Sequence, residues 1–204
     1  MPTSFGIRDV IPRLPAFAAR HPNLHIQLLL EDRRQALVRD AVDVAVRLGR
    51  LVDSTATAKL IATIPRVVVA SPDYLVRHGV PATPNELVQH RIVGGTAAAV
   101  PTAWMFERDG KESVIPLEPH FSTNENEGAI AAAVAGFGIT STSGWACRRE
   151  LEDGSLVRLF LDWKMVGIPV HAYFPMGRAT RAAGRAAVDH LVADFQKDAK
   201  AIPL

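Results

Sequence analysis

The chain has 204 residues, 48% of them hydrophobic, so it can bury a substantial core in one large domain or two small lobes. Its formal net charge is only +2, from 23 basic and 21 acidic side chains, which is too weak to indicate the concentrated basic face of a nucleic-acid-binding protein. The single cysteine, Cys147, excludes a disulfide framework within the chain and is typical of a reducing compartment.

The N-terminal sequence and the hydropathy pattern bear on where the protein acts. The residues MPTSFGIRDVIPR lack the basic stretch and the apolar core of a secretory signal. No uninterrupted apolar run approaches the roughly 20 residues that a bilayer-spanning helix needs. We therefore expect a cytoplasmic protein that has no membrane partner.

The first 30 residues predict a helix followed by a strand. Apolar residues from Ile7 to Ala18 recur at helical spacing after a polar start, but Pro12 and Pro15 should kink or break this helix. The apolar run from Leu24 to Leu30 then predicts a strand that is covered on both faces.

The next residues complete a strand–helix–strand pattern. Asp32 and Gln35 have the spacing of a capping box and predict a short helix through Arg39. The residues DVAVRL, from Asp43 to Leu48, predict a second strand. Two strands separated by a helix within about 30 residues are typical of a parallel sheet, so this order indicates an α/β fold.

The rest of the chain continues to alternate strand and helix patterns. A hairpin is indicated where Asp109-Gly110 separates the strand Trp104–Arg108 from the strand Lys111–Leu117. The other predicted strands are 66–70, 91–93, 121–123, 138–142, 156–161 and 170–174. The other predicted helices are 73–78, a short one opening at Thr83, 127–135, 145–151, and a last one with the apolar face Val188, Leu191, Val192 and Phe195.

A series of short motifs runs through the whole chain. The motifs are Ser4-Phe5-Gly6, Leu14-Pro15-Ala16-Phe17, His21-Pro22, AVDVAVRLG (41–49), VVASPDYL (68–75), His90-Arg91, Trp104-Met105-Phe106, AGFGI (135–139) and LEDGSLV (151–157). Each motif is weak alone, but their order and spacing resemble the effector domain of the LysR-type bacterial transcriptional regulators. The resemblance covers the chain from about Thr3 to Phe195.

This resemblance implies an α/β, two-lobed domain of the periplasmic-binding-protein type 2 fold, with two crossover strands. Residues 66–70 and 170–174 are expected to be those crossovers. The first lobe would contain residues 1–69 and 173–204, and the second lobe residues 70–172.

The resemblance also implies partners. Regulators of this family bind a small-molecule effector, pair as dimers or tetramers, and contact DNA through an N-terminal winged helix that these 204 residues do not include. The family usually has a strand before Ser4, which they also lack. Pairing would use the first helix, the strand 24–30 and the helix that starts near Glu127.

Two helix starts indicate where an anionic effector would bind. The start of a helix carries roughly half a positive charge and unpaired N–H groups, so it attracts a carboxylate without a basic side chain. In the family the effector lies in the cleft between the lobes. The expected effector-binding residues are Thr3, Ser4, Phe5, Arg47, Leu48, Thr96, Trp104, Thr123, Asn124 and Asn126.

Structural roles compete with five of these assignments. Ser4, Asn124 and Asn126 have side chains that also cap helices and turns. Trp104 also suits packing within the hairpin, and Arg47 suits a surface ion pair. The residues Thr140-Ser141-Thr142-Ser143 replace an apolar stretch of the family, and we interpret them as a locally irregular strand end rather than as a lining of the cleft.

The sequence contains no convincing catalytic motif. His21 and His25 have the spacing of a helical metal pair, but Pro22 lies between them and no third ligand is placed nearby, so we expect no metal. Cys147 lies beside two arginines but has no identifiable base. We expect no cofactor and no enzymatic activity. A solute receptor for transport shares the fold and is the alternative; an enzyme on the same scaffold is a third possibility.

Overall fold

The computed structural model describes residues 1–31, 42–49, 57–95 and 103–201, with side chains described as far as residue 197. The described residues separate into two compact units. Unit 1 contains residues 1–64 and 168–204, and unit 2 contains residues 65–167. The chain passes from one unit to the other at Ile64–Pro65 and at Gly167–Ile168. The lobe limits expected from the family, 1–69 with 173–204 and 70–172, stay a prediction.

The strands of the described residues are, in chain order, β1 (Ala45–Leu48), β2 (Thr57–Ile64), β3 (Arg66–Ala70), β4 (Ile92–Gly95), β5 (Ala103–Arg108), β6 (Lys111–Pro116), β7 (Pro119–Thr123), β8 (Ile139–Ser143), β9 (Val157–Leu159), β10 (Lys164–Met165) and β11 (Ile168–Phe174). The α-helices are α1 (Thr3–Phe5), α2 (Leu14–Arg20), α3 (Pro72–His78), α4 (Asn126–Val134), α5 (Arg148–Glu152) and α6 (Ala182–Ala201).

The first helical stretch changes its hydrogen-bond pattern several times. After α1 it continues as a π-helix over Gly6–Val10 and a 3₁₀ helix over Ile11–Arg13, before α2 begins. Pro12 lies in the 3₁₀ turn, and Pro15 lies in the first turn of α2, where its missing N–H is tolerated. The predicted irregularity is therefore confirmed: the hydrogen-bond pattern changes along the stretch, but the helical segments follow one another without a break from Thr3 to Arg20.

The predicted strand Leu24–Leu30 is wrong, because the described residues in this range form no regular strand. Backbone hydrogen bonds join this segment to Met1, whose terminal amine donates to Leu29 O and whose carbonyl accepts from Glu31 N. Every second residue of the segment is exposed, so it is not covered on both faces. A strand needs a continuous ladder of partners, and two bonds to one residue do not supply it.

The sequence pattern also predicted that the strand Asp43–Leu48 would pair in parallel with the strand before it, and this prediction is wrong for the described residues. The strand β1 pairs antiparallel with β11, which lies between β1 and β2 in the sheet of unit 1. The predicted helix from Asp32 to Arg39 lies outside the described residues. Helix α6 packs beside β2, and the core of unit 1 is built mainly from these elements and the first helical stretch. Its buried side chains include Phe5, Phe17, Val46, Ile64, Val170, Leu191 and Phe195.

Unit 2 contains a five-stranded sheet with the order β7-β4-β8-β3-β9. Strands β7, β4 and β8 run parallel to one another, and β3 and β9 complete the sheet in antiparallel pairs. Helix α4 packs on one face of this sheet, where Ile130 and Ala133 meet Val67 and Val69. Helix α4 connects the edge strand β7 to the central strand β8.

A second sheet of unit 2, with the order β10-β5-β6, contains the predicted hairpin. Asp109 and Gly110 both have positive φ, 53° and 74°, as a two-residue type I′ turn requires. The side chains of Trp104, Phe106 and Ile115 leave this hairpin to form a core with β3 and β8. The predicted hairpin and its turn are confirmed.

Candidate functional site

One edge of the five-stranded sheet collects polar residues in unit 2. Because β4, β7 and β8 are parallel, they end together, at Gly95, Thr123 and Ser143. The antiparallel strand β3 begins at the same place, with Arg66 opposite Ser143. We call this the carboxyl edge. In open α/β sheets, ligands bind outside the carboxyl ends of the strands, so the carboxyl edge is the candidate site of unit 2.

Three of the expected effector-binding residues lie at the carboxyl edge. Thr123 ends β7, Asn124 is exposed, and Asn126 is the first residue of α4. Thr96, which follows β4, lies outside the described residues. The cap position of α4 belongs to Glu125, which makes no side-chain capping bond, so neither asparagine is the N-cap. The competing interpretation of these asparagines as helix caps is therefore wrong.

The first residue of α4 is tied to the centre of the sheet. The Thr142 hydroxyl donates a 2.8 Å hydrogen bond to Asn126 Oδ1. The amide NH₂ group of Asn126 donates to no other side chain of the described residues and stays available. At the preceding turn the Glu125 N–H donates to Thr123 Oγ1 at 3.3 Å. Gly128 makes room for that threonine, because a Cβ at Gly128 would lie 2.6 Å from its Oγ1.

The interpretation of Thr140–Ser143 as an irregular strand end is wrong, because these residues form the regular, buried strand β8. Hydroxyl groups are tolerated in a core when each has a partner. Thr140 Oγ1 donates to Val93 O at 3.0 Å, Ser143 Oγ accepts from Ala146 N at 3.3 Å, and Ser141 Oγ accepts from Arg66 Nε at 2.7 Å. A polar central strand is thus satisfied by its neighbours.

Arg66, the first residue of β3, also lies at this edge, and the sequence pattern predicted for it only a place at the start of a strand. Its side chain is half-buried, and burial lowers the pKa of its guanidinium. No carboxylate forms an ion pair with it within the described ranges 1–31, 42–49, 57–95 and 103–197. An arginine directly before an apolar strand is too common a pattern to have pointed to this role.

The expected residues at the start of the chain lie in unit 1. Pro2 occupies the cap position of α1, so Ser4 is not the N-cap. Ser4 is 5% exposed, and its hydroxyl hydrogen-bonds to no other described residue. Thr3 is half-buried and has a partner of its own. Phe5 is buried and stacks on Phe195 with ring centres 5.7 Å apart, so its ring belongs to the core of unit 1.

Arg47 and Leu48 end β1, and both are half-buried. Arg47 lies directly opposite His171 of β11, so their side chains are neighbours on one face of the sheet. His171 was not singled out from the sequence. It is 8% exposed, and its Nδ1 atom is buried without a hydrogen-bond partner among the described residues. Buried polar atoms are seldom left unpaired, which marks this face of β1 and β11 as unusual.

The remaining candidates have structural surroundings. Trp104 is 4% exposed and packs in the core of unit 2, as the hairpin interpretation required. Cys147 is buried, and its thiol donates to Ser143 O at 3.5 Å. His21 packs against Phe17 with ring centres 4.5 Å apart. Among the described residues no group of three or more His, Cys, Asp or Glu could hold a metal, and no helix is long and apolar enough to cross a bilayer.

Comparison with known families assigns the fold. Residues 1–196 match the family model described as the LysR substrate binding domain. The chain belongs to this family. The LysR-type fold expected from the motifs is therefore confirmed: an α/β domain of the type 2 periplasmic-binding-protein kind.

Relatives of this LysR substrate-binding domain are longer proteins. An HTH-type transcriptional repressor of Pseudomonas aeruginosa is 31% identical over 171 residues, which are 83% of this chain and 54% of the relative. The HTH-type transcriptional regulator CrgA of Neisseria meningitidis is 27% identical over 185 residues, which are 90% of this chain and 62% of the relative. The chain thus spans 54–62% of the length of these relatives. A solute receptor is not favoured.

Solved structures agree with this assignment. The LysR-type regulator CrgA superposes with a TM-score of 0.82 and 25% identity, covering 95% of this chain and 66% of that protein. The Vibrio cholerae virulence activator AphB superposes with a TM-score of 0.78 and 27% identity, with the same coverage of 95% and 66%. Both comparison proteins belong to the LysR-type regulators.

Proposed function

We propose that this chain is the effector-sensing domain of a LysR-type transcriptional regulator and that its effector is a small carboxylate. The family match over residues 1–196 carries this proposal. The effector acts through its different affinities for two states of the regulator, and the favoured state changes how a separate winged-helix domain contacts DNA. The domain itself performs no catalysis.

In unit 1 the start of the first helical stretch supports an anion site. The first N–H groups of a helical stretch have no partner within it, and Pro2 supplies no side-chain cap. The Ser4 hydroxyl lies among these groups without another partner in the described residues. Arg47 adds a positive charge on strand β1 of the same unit. Together these residues supply the donors that a carboxylate needs.

In unit 2 the carboxyl edge supplies a second set of donors. The Asn126 side-chain NH₂ group has no hydrogen-bond partner among the described residues, and Thr123 and Asn124 lie directly before Asn126. A nine-residue helix is long enough for its start to carry a useful partial charge. Each unit therefore offers its own set of donors, and each set is tested by its own variant.

Exposed apolar side chains support the proposed pairing into dimers. Ile7 is 48% exposed and Ile11 42% exposed, four residues apart on the first helical stretch. In unit 2 the exposed apolar side chains include Val134 at the end of α4 and Phe137 just after it. We expect Ile7→Glu with Ile11→Glu to lower the oligomeric mass measured by light scattering, whereas Val76→Glu, at another exposed site, should not.

The deciding experiment is a thermal-shift screen with aliphatic and aromatic carboxylates and their uncharged amides. A ligand at 100 times its Kd adds about 2.7 kcal/mol of stability, which raises Tm by roughly 5–10 °C in a domain of this size. Ser4→Ala and Asn126→Ala should each reduce the shift, measured against the Tm of the same variant without ligand, because Asn126→Ala also removes the bond from Thr142. Stabilisation by an amide alone would exclude a carboxylate effector.

Two further readouts separate this function from other activities. The bound ligand should be recovered unchanged after long incubation, because a chemical change would indicate an enzyme. In a regulator that joins this domain to its winged helix, the same ligand should change operator affinity. A ligand that binds but leaves operator affinity unchanged would contradict effector sensing.

A further inference from the structure

The side chain of Arg66 is held at the carboxyl edge by one defined contact. Its Nε atom donates a 2.7 Å hydrogen bond to Ser141 Oγ. That serine hydroxyl in turn lies 3.5 Å from Met165 Sδ, to which it donates. Ser141 is 7% exposed on the central strand β8, so the anchor is rigid. Among the described residues the guanidinium is thus held through one nitrogen, Nε, and its two terminal nitrogens are left for another partner.

The register of the sheet places the side chain of Arg66 on the face opposite to the one that packs against α4. Arg66 lies opposite Ser143, and Val67 lies opposite Thr142. Side chains alternate between the faces of a strand, so Arg66 shares a face with Ser141 and Ser143, whereas Thr142 is on the face that carries α4. The face of Arg66 also carries Val68, whose core includes Trp104 and Phe106. A polar group beside an apolar core is a common arrangement in small-molecule sites.

Three other arginines, Arg13, Arg108 and Arg181, form ion pairs with carboxylates, whereas none of the described residues supplies one to Arg66. Arg13 lies 3.6 Å from Asp194, and Arg181 lies 3.6 Å from Asp43. A half-buried cation without a counter-ion is unfavourable, because partial desolvation costs free energy that no ion pair offsets. The lowered pKa of the Arg66 guanidinium has the same cause. An anion at its terminal nitrogens would relieve this cost.

We infer that Arg66 binds the carboxylate of the effector through its two terminal nitrogens, with Ser141 as the positioning residue that orients the guanidinium. This inference rests on the proposed function and names the residue that recognises the charge of the ligand. A planar fork matches a carboxylate with two parallel hydrogen bonds, whereas a lysine ammonium cannot supply that geometry. Ser141 acts only through Arg66, so its loss should be the smaller one.

The first test observes Arg66 directly in the wild-type domain. The Nε–H resonance of Arg66, assigned by its disappearance in Arg66→Lys, is followed during titrations with sodium acetate and sodium benzoate at constant ionic strength. Arg66 should show a saturable shift, while Arg181, which is exposed and paired with Asp43, should not. A uniform drift of all arginine resonances, or no saturable shift with either anion, would overturn the inference.

The second test measures affinity for whichever carboxylate stabilises the domain best in the thermal-shift screen. Arg66→Gln and Arg66→Lys should each weaken binding by about 10- to 100-fold, and Ser141→Ala by less. The matched control Arg181→Gln should change the affinity by less than about two-fold, as expected for an exposed pair. Unchanged binding by Arg66→Gln overturns the inference.

The two proposals fail in different ways. If the domain binds only uncharged amides, or if a carboxylate binds equally well without Arg66, the role of Arg66 is overturned and effector sensing survives. If Arg66→Gln does not fold, the Arg66→Lys variant and the resonance titration of the wild-type domain still decide. An unchanged or higher Tm of ligand-free Arg66→Gln would support the inference, because an unpaired cation has been removed.

Discussion

The hydroxyl of Thr142 donates to Asn126 Oδ1 across 2.8 Å, joining the central strand of unit 2 to the first residue of α4. Thr142 is 2% exposed, so water cannot replace its partner. This one contact fixes where α4 begins relative to the carboxyl edge. A functional group that depends on the start of α4 therefore depends on a side chain of β8.

Replacing Thr142 with valine removes the donor and keeps the shape of the side chain. We expect the free energy of unfolding to fall by about 1–3 kcal/mol, because Asn126 loses a buried partner. Urea denaturation measures this loss. Asn126→Ala in the Thr142→Val background should add little, since the two residues share one bond. Additive losses would show that the bond contributes no stability.

Gly95 is required by the close approach of α4 to β4. A Cβ at Gly95 would lie 2.3 Å from Ala129 Cβ, well inside the contact distance of two carbon atoms. Gly95→Ala should therefore lower the free energy of unfolding by about 1–3 kcal/mol through overpacking. Adding Ala129→Gly should recover part of the loss despite its own helix cost of about 1 kcal/mol. A stable single variant would contradict the packing.

His90 makes stability depend on pH. Burial, and then the nearby His78, lower the pKa of His90, while Glu86 opposes this shift. The unfolded chain then binds more protons than the folded one between the lowered pKa and the ordinary value of about 6.5. Stability should fall as the pH is lowered through this window, and His90 should contribute no further change at a pH below its lowered pKa or well above 6.5. The slope would be a fraction of the roughly 1.4 kcal/mol per pH unit that one full proton gives.

The measurement for His90 is the free energy of unfolding at pH 5, 6 and 7 for the wild-type domain and His90→Gln. The variant should have a flatter dependence over this range. In the folded protein the Tyr74 hydroxyl lies 3.2 Å from His90 Nδ1 and accepts from Arg91 N, so a neutral ring suits the contact. Identical slopes for the two proteins would rule out His90 as the source.

His171 offers a stability test that is separate from ligand binding. Its buried Nδ1 atom finds no hydrogen-bond partner in the part of the chain that the structure describes, and replacement by leucine removes that unsatisfied polar atom. We expect His171→Leu to raise the free energy of unfolding by roughly 1 kcal/mol. Chemical denaturation of both proteins checks the sign. A loss of stability would mean that the ring contributes packing that outweighs the unpaired nitrogen.

Local signals in the sequence were sufficient to predict several turns and helix ends of unit 2. The dipeptide Asp109-Gly110 supplies two positive φ values and fixes the hairpin turn. Ser71 caps α3 through a contact with Tyr74 N, and Gly79 ends that helix with a φ of 84°. In both places one residue type satisfies a local backbone requirement, which is why the pattern could be recognised without knowing the fold.

The sequence predictions were wrong where the local structure depends on residues that are distant along the chain. The apolar run Leu24–Leu30 has the composition of a strand, but its ladder depends on partners far along the chain. The hydroxyl-rich strand β8 was misinterpreted because its partners, such as Val93 and Asn126, are 16 to 47 residues away. For the same reason Arg66 and His171 escaped notice, since their significance depends on which neighbours surround them.

The position of β11 has a consequence for the order of events during synthesis on the ribosome. This strand lies at the centre of the unit 1 sheet, between β1 and β2, although it follows β2 by more than a hundred residues. The β1 and β2 strands therefore leave the ribosome without the strand that joins them. Unit 2 is one continuous segment that is complete before β11 is translated. In the nascent chain, unit 2 should therefore become resistant to protease before unit 1, whose sheet cannot form completely until β11 has been synthesised.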